Sequence, residues 1–320
     1  MTGRASFDLV REHYGHRRLG LVTLVASLLL NFLTLCAELG GVGMALQLFF
    51  DVTPQLFMLL GMLALAAAAW LLPFEAIERV FGYGGLTLLV YVAAAYHQHP
   101  DWSALGHGFV PDAPSSTLYW YFIAGMLAAA FVPYQIYMYS SGGIEEGWTE
   151  EHLFENRAHA IVGFTLGGVL SAALVILAAQ VLGPHSIGPD SLGTVTLTAQ
   201  QTYGETGLAL AIVGIVFAVG GAAIDTCFSA AYNLAQYRGW SWGKNKGPFG
   251  APQWHVTVTL LFTGGYAVIA TGVNPVEVTE YAVVLSAVVF PVTYLPLLRA
   301  AGDRELMRRR LACDTGARTS

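Results

Sequence analysis

The sequence predicts an all-α, polytopic membrane protein, and three of its properties support this fold class. Of its 320 residues, 55% are hydrophobic and only 11% are charged, whereas soluble domains carry about 25% charged residues. Several segments contain the roughly 20 mainly apolar residues that a membrane-spanning helix needs. All fifteen Lys and Arg residues lie on one side of these segments. We predict eight transmembrane helices, at 19–50, 53–72, 80–97, 118–140, 159–183, 206–235, 253–272 and 278–298.

The basic residues also predict an orientation. An even number of spans places both termini on the same side of the bilayer, and cytoplasmic loops are the ones enriched in Lys and Arg. We therefore expect a cell-membrane protein with both termini in the cytoplasm and a single membrane domain over 1–320. Its cytoplasmic start is 1–18, its cytoplasmic tail is 299–320, and its longest outer loop is the polar segment 184–205. The acidic segment 142–159 is predicted to be a mainly solvated cytoplasmic surface with a short helix.

Two carboxylates fall midway along spans, Glu38 in LTLCAELGGVGMAL and Asp225 in VGGAAIDTCFSAAYN. Ionisable residues are costly inside a membrane and mark functional sites by default. Each of these two can carry a proton, attract a cation or only hydrogen-bond a neighbouring helix. Glycine pairs at 40–41 and 220–221 favour close helix packing beside them. The first span is long, about 48 Å as a helix, so we expect it to tilt, bend at 40–41 or project into water.

The fourth span contains AAAFVPYQIYMYSSGG, with Pro133 in its middle. Proline removes a helical hydrogen bond, and broken helices at membrane depth are tolerated where they are buried in protein or line a watery cavity. We expect the carbonyl groups near Ala129 to be left free to replace the water shell of a cation, as in several transporter folds. Tyr134 and Gln135 can add oxygen ligands. A proline kink used only for packing is the alternative.

The remaining polar residues of the spans predict little chemistry. Asn31, Gln47 and Asn233 are interpreted as interhelical hydrogen-bonding residues, and the three cysteines show no metal or redox spacing. A membrane enzyme is the weakest interpretation, because no nucleophile–base set or zinc motif lies in the spans. We predict lipid as a partner, no nucleic acid and no cofactor; the sequence predicts no oligomeric state.

Four stretches, in order, resemble helices of one family. LTLCAELGGVGMALQLFF resembles its third helix, with an acidic residue, small residues and an ALNLLF-like ending, and FEAIERVFGYGGLTLLV resembles the start of its fifth. VPYQIYMYSS lies where the sixth helix has Met-Pro-His-Asn followed by Leu-Tyr-Leu-His-Ser. VVLSAVVFPVTYLPLL and the following DRELM resemble the end of the tenth. This is the Nramp family of divalent-metal transporters, and the resemblance covers nearly the whole chain.

The resemblance implies a LeuT-type core of two inverted five-helix repeats, in which the eight spans are helices three to ten. Residues 19–97 are then the remainder of the first repeat and 118–298 are the second repeat. TGRASFDLVREHYG resembles the loop between helices two and three, so we expect the first two helices to be missing. One of them carries the Asp-Pro-Gly-Asn motif, which supplies about half of the family's metal ligands. A start assigned too far downstream or a fragment is the expected reason, and a natural eight-helix protein is the alternative.

The resemblance also implies a metal site, which this sequence alters. Ala129 keeps the position whose carbonyl faces the metal, whereas Val132 replaces the metal-binding methionine, Tyr134 the histidine and Gln135 the asparagine. In a loose alignment, Val283 replaces a glutamine of the tenth helix. The expected ligands are therefore Ala129, Gln135 and Tyr134. A thioether favours Mn²⁺ and Fe²⁺, and without it oxygen ligands and retained water suit Mg²⁺, as in the Nramp-related magnesium transporters that lack this methionine.

For coupling, Glu38 keeps the family's glutamate, but the aspartate three residues earlier is Leu35, which weakens the expectation of proton coupling. Our leading hypothesis is a secondary transporter that imports a divalent cation, with Glu38 and Asp225 in a proton-linked or electrostatic role. One alternative is a LeuT-type transporter of an organic substrate. Another is an inactive or truncated membrane protein without transport.

Overall fold

The computed structural model describes residues 4–14, 18–49, 53–108, 116–130, 132–188 and 191–302, and within these ranges every regular element is helical. The predicted start before Arg4 and the tail beyond Gly302 lie outside the described residues. In chain order the main helices are α1 (Ser6–Tyr14), α2 (Arg18–Gln47), α3 (Pro54–Leu71), α4 (Phe74–His97, with a 3-10 turn at Leu86–Leu88), α5 (Trp102–Gly108), α6 (Thr117–Ala130), α7 (Pro133–Glu145), α8 (Leu153–Leu177), α9 (Leu192–Arg238), α10 (Pro252–Ile269) and α11 (Pro275–Gly302).

Seven helical stretches within the described ranges are long and apolar enough to cross a membrane. They are α2, α3, α4, α6 with α7, α8 with its extension to His185, α9, and α11 as far as Arg299. This confirms the predicted class, an all-α polytopic membrane protein. The inverted repeat and the orientation of the termini stay predictions.

The predicted span 253–272 forms a helix, α10, but the count of eight spans also stays a prediction. α10 has 18 residues and begins with polar side chains, so it is less apolar than the other seven stretches. Trp254 and His255 near its start are only 1% and 4% exposed. This polar end is therefore buried against protein.

The expected outer loop 184–205 is the main difference from the sequence prediction. A helix begins at Leu192, where the Ser191 hydroxyl accepts a hydrogen bond from the Thr194 amide at 3.3 Å. Threonine hydroxyl groups then donate back to carbonyl groups of their own helix, as Thr196 does to Gly193 at 2.8 Å, so that a polar segment is helical. Gly204, with φ 61° and ψ −147°, interrupts the helix. The loop prediction was wrong for most of this segment.

The core centres on α2 and α9, which pack along each other and are surrounded by α3, α4, α10 and α11. α2 runs as one helix of 30 residues through its glycine pair. A Cβ atom at Gly40 would lie 2.3 Å from Pro275 Cγ, and one at Gly220 would lie 3.0 Å from Phe81 Cε1. The glycines therefore bring the helices close together beside both carboxylates, as predicted.

The short helix α1 packs across the end of the helical bundle. Phe7 is fully buried, and its ring meets that of Tyr137 edge-on, with centroids 4.8 Å apart. The Ser6 amide donates to Ser140 Oγ at 3.0 Å in α7, and Arg11 Nη1 donates to the Gln236 carbonyl at 2.7 Å in α9. α1 thus links α7 to the end of α9.

Candidate functional site

The fourth predicted span is two helices in the structure. α6 ends at Ala130, Val132 has an extended conformation (φ −66°, ψ 123°), and Pro133 takes the first position of α7. Phe131 lies outside the described residues. The backbone N–H at the first position of a helix has no hydrogen-bond partner within the helix, so proline, which lacks this N–H, loses no bond there. The proline therefore fits the start of α7 without disturbing the helix that follows.

Three of the predicted site residues, Glu38, Tyr134 and Asp225, lie near one another beside the start of α7. Glu38 of α2 accepts a hydrogen bond at its Oε1 from Thr226 Oγ1 of α9, at 3.3 Å. Tyr134 of α7 accepts a hydrogen bond at its carbonyl from Ser229 of α9, at 3.1 Å, and its side chain lies within electrostatic range of both Glu38 and Asp225. The Asp225 carboxyl group also acts electrostatically on Glu38. The cluster thus joins three helices around two carboxyl groups.

Glu38 is only partly satisfied in this cluster. Its second oxygen, Oε2, is buried and has no hydrogen-bond partner among the described residues. An unpaired buried polar atom costs about 1–3 kcal/mol, and more for a charged group. Such an atom is held in place by the surrounding structure, and it is available to a proton, a cation or water.

The other two predicted ligands are placed differently. Ala129 is exposed at the end of α6 and lines a cavity of about 230 Å³ between α6 and α11, together with Val283. The loosely aligned Val283 is thus brought beside Ala129. Gln135 is exposed on the first turn of α7, where its backbone amide donates to the Val132 carbonyl at 3.3 Å. The structure therefore gathers Glu38, Tyr134 and Asp225, while Ala129 and Gln135 face more open space.

Asp225 also lines a second, larger cavity of about 770 Å³. Most of the charged side chains around it are acidic: Glu75, Glu78, Glu145, Glu146, Glu155 and Asp225, with His152 and His159. Much of segment 142–159, predicted as a solvated surface, therefore borders a cavity. In the described ranges no three His, Cys, Asp or Glu side chains are arranged to hold a metal ion. The cavity is thus an acidic space without a preformed chelating site.

The wall of this cavity is ordered by Glu145 at the end of α7. Its Oε2 accepts hydrogen bonds from Tyr232 Oη at 2.5 Å and from the Lys244 amide at 3.1 Å. Burial raises the pKa of its neighbour Glu146, and the carboxyl groups of Glu75 and Glu145 raise it further, against a hydrogen bond from Trp148. The cavity therefore holds part of its negative charge at an electrostatic cost, which a cation would relieve.

Sequence reasoning missed two hydroxyl residues of the site, Thr226 and Ser229. Both are fully buried, and Ser229 Oγ donates to the Tyr134 carbonyl at 3.1 Å. Their only signal in the sequence is that they follow Asp225 and are three residues apart, which is a weak signal because threonine and serine occur throughout membrane helices. Asn233, predicted to join helices, donates from Nδ2 to Ser27 Oγ of α2 at 2.8 Å, which confirms that interpretation.

The chain is similar to known proteins over most of its length. A family model described as natural resistance-associated macrophage protein-like (Nramp) matches residues 1–312. A "Divalent metal cation transporter MntH" of Yersinia pestis (strain Pestoides F) is 25% identical over 294 residues, which cover 85% of this chain and 65% of that protein. Proteins of the same name from Aeromonas hydrophila subsp. hydrophila and Pectobacterium carotovorum subsp. carotovorum are 25% and 26% identical, over 71% and 69% of this chain and 55% and 53% of their own lengths. The chain thus spans between about half and two thirds of the length of these relatives.

Proposed function

Because the chain belongs to the Nramp family, we propose that it is a secondary transporter that imports a divalent metal cation across the cell membrane. The observation that carries this proposal is the polar run of α9 that begins at Asp225: Asp225 borders the acidic cavity, and the hydroxyl groups that follow it bond to Glu38 and to the Tyr134 carbonyl at the start of α7. The names of the curated relatives, each a divalent metal cation transporter, support the same cargo.

In this proposal the cation meets the protein at the break between α6 and α7. Ala129 offers its carbonyl, and Gln135 and Tyr134 offer side-chain oxygens. The exposure of Ala129 and Gln135 leaves room for the water molecules that a hard cation such as Mg²⁺ keeps. The acidic cavity then provides a negatively charged route between this region and the side of the protein that carries the basic loops, which we assign to the cytoplasm.

The nature of the cation follows from the ligand types. Val132 supplies no sulfur, so coordination rests on oxygen atoms, which favours Mg²⁺ relative to Mn²⁺ or Fe²⁺ compared with a methionine-containing site. Glu38 has one bonded oxygen and one without a partner among the described residues, and we assign to it the proton-linked or electrostatic role. Asp225 shares this role on the side of the cavity.

Uptake by the purified chain in liposomes tests the proposal, with Mg²⁺ and Mn²⁺ each measured by an enclosed fluorescent indicator. We expect uptake of at least one of the two ions. Gln135→Ala is expected to raise KM, because it removes a ligand, and Glu38→Gln is expected to lower the maximal rate. Gln200→Ala is the matched control, since Gln200 is bonded to Glu205 at 3.0 Å outside the site. If neither ion enters, or if both site variants behave like the control, the proposal is wrong.

A further inference from the structure

One face of α9 carries a stripe of buried polar side chains that bond alternately to two other helices. Thr226 donates to Glu38 of α2 at 3.3 Å, and Ser229 donates to the Tyr134 carbonyl of α7 at 3.1 Å. Further along, Asn233 donates to Ser27 of α2 and Gln236 donates to Ser141 of α7, each at 2.8 Å. All four α9 residues are fully buried. Their spacing of three to four residues keeps them on a single helix face.

The first two members of this stripe use their hydroxyl groups in an unusual way. In a helix, threonine and serine hydroxyls commonly donate back to a carbonyl of the preceding turn, as Thr196, Thr259 and Thr293 do in this protein. The hydroxyls of Thr226 and Ser229 donate to other helices instead. Both acceptors belong to the cluster of Glu38 and Tyr134.

Thr226 attaches the carboxyl group of Glu38 to α9. Its hydroxyl donates to Glu38 of α2, while Ser229, one turn along the same face of α9, donates to the Tyr134 carbonyl of α7, so that two neighbouring hydroxyl groups attach α2 and α7 to α9. Because Glu38 Oε2 has no partner among the described residues, the bond to Oε1 is the described hydrogen bond that fixes the rotation of this carboxyl group. A free carboxyl oxygen acts on a cation or a proton only if its position is fixed.

We propose that Thr226 is a positioning residue: its hydroxyl fixes the carboxyl group of Glu38 against the start of α7, with Ser229 fixing the Tyr134 backbone one turn further along. This inference rests on the proposed function. It assigns to Thr226 no direct contact with the cation. Asn233 and Gln236, at the other end of the stripe, join the same helices but bond to Ser27 and Ser141, so they hold the bundle together without touching the carboxyl group.

The test compares Thr226→Val, Thr226→Ser and Thr196→Val in the liposome uptake assay, each measured over a range of cation concentrations. Valine has the shape of threonine but lacks the hydroxyl group, and serine keeps the hydroxyl. Thr196 is equally buried in the same helix, but its hydroxyl bonds only to its own turn. We expect Thr226→Val to lower the maximal rate about tenfold, the upper end of what a single hydrogen bond contributes, with KM within about twofold. Thr226→Ser is expected to restore most of the rate, and Thr196→Val to match the unmodified chain.

The outcomes separate this inference from the function on which it rests. If the unmodified chain transports and Thr226→Val equals Thr196→Val, or if serine does not restore the rate, Thr226 is not a positioning residue. In a Glu38→Gln background Thr226→Val is expected to have no further effect, and independent effects of the two substitutions would also overturn the inference. If Thr226→Val does not fold, Thr226→Ala is used in its place with the same expectations. An unmodified chain without uptake overturns the proposed function and this inference together.

Discussion

One methyl group added to α2 at Gly40 tests how closely the helices pack beside Glu38. A Cβ atom there would lie 2.3 Å from Pro275 Cγ and 2.9 Å from Ile269 Cγ1, far inside the 3.5–4.0 Å at which carbon atoms pack. At the adjacent Gly41 the nearest atom, Val219 Cγ1, would be 3.5 Å away, an ordinary contact. Gly40→Ala and Gly41→Ala therefore add the same group to the same helical turn, one with overlap and one without.

The expected difference in stability can be worked out from these distances. Replacing glycine by alanine inside a helix gains about 0.5–1 kcal/mol at both positions. Overpacking, which applies only at Gly40, costs about 1–3 kcal/mol because the ring of Pro275 has to move by more than about 1 Å. We therefore expect Gly40→Ala to be about 1–3 kcal/mol less stable than Gly41→Ala.

This difference is measured by thermal unfolding of the two purified variants in the same detergent, which ranks their melting temperatures. Gly41→Ala is expected to melt at or slightly above the temperature of the unmodified chain, and Gly40→Ala clearly below it. Because Gly40 follows Glu38 by two residues, Gly40→Ala is also expected to transport more slowly. Equal melting temperatures for the two variants would refute the close packing of α2 against the start of α11.

Two further predictions concern the cation and the loop between α9 and α10. Val132→Met places a sulfur atom at the proposed ligand position and is expected to raise the ratio of Mn²⁺ to Mg²⁺ uptake about tenfold, if the sulfur favours Mn²⁺ binding by ~1.4 kcal/mol. An unchanged ratio, or an equal effect of Val132→Leu, would contradict the proposed position. Burial lowers the pKa of Lys244 below 10.5, so the unfolded chain keeps this proton to higher pH than the folded protein, and stability rises with pH between the folded pKa and 10.5. Lys244→Met is expected to reduce the rise in melting temperature between about pH 8 and about pH 10, whereas the exposed Lys246→Met keeps it; equal pH profiles for the two variants would contradict this.

The membrane class could be predicted from the sequence because hydrophobic length alone decides it. Helices such as α3 and α8 present apolar residues on nearly all sides, and their existence needs no knowledge of their neighbours. The segment 184–205 could not be predicted in this way. Its helix depends on the Ser191 cap and on threonine hydroxyls bonding back to the backbone, and a composition-based prediction interprets the same residues as a loop.

The candidate site could be predicted only in part. Glu38 and Asp225 stand out because a carboxyl group is costly within a span, and Pro133 stands out because proline breaks helices. Thr226 could not be found, because a threonine in a membrane helix is ordinary until the structure shows where its hydroxyl points. Its partner Glu38 lies 188 positions away in the chain, and only the packing of α2 against α9 makes the two residues neighbours.

The position of α1 has a mechanical consequence for α7. Ser6 and Phe7 attach α1 to α7, Arg11 attaches it to α9, and Tyr137 of α7 donates to the Thr293 carbonyl of α11 at 2.6 Å. A displacement of α7 alone would have to break its links to α1 and to α11, whereas a displacement that carries α1 along would have to break the bond of α1 to α9. A short helix bonded to both α7 and α9 thus resists movement of one against the other, and a probe attached to it reports a change in their relative position.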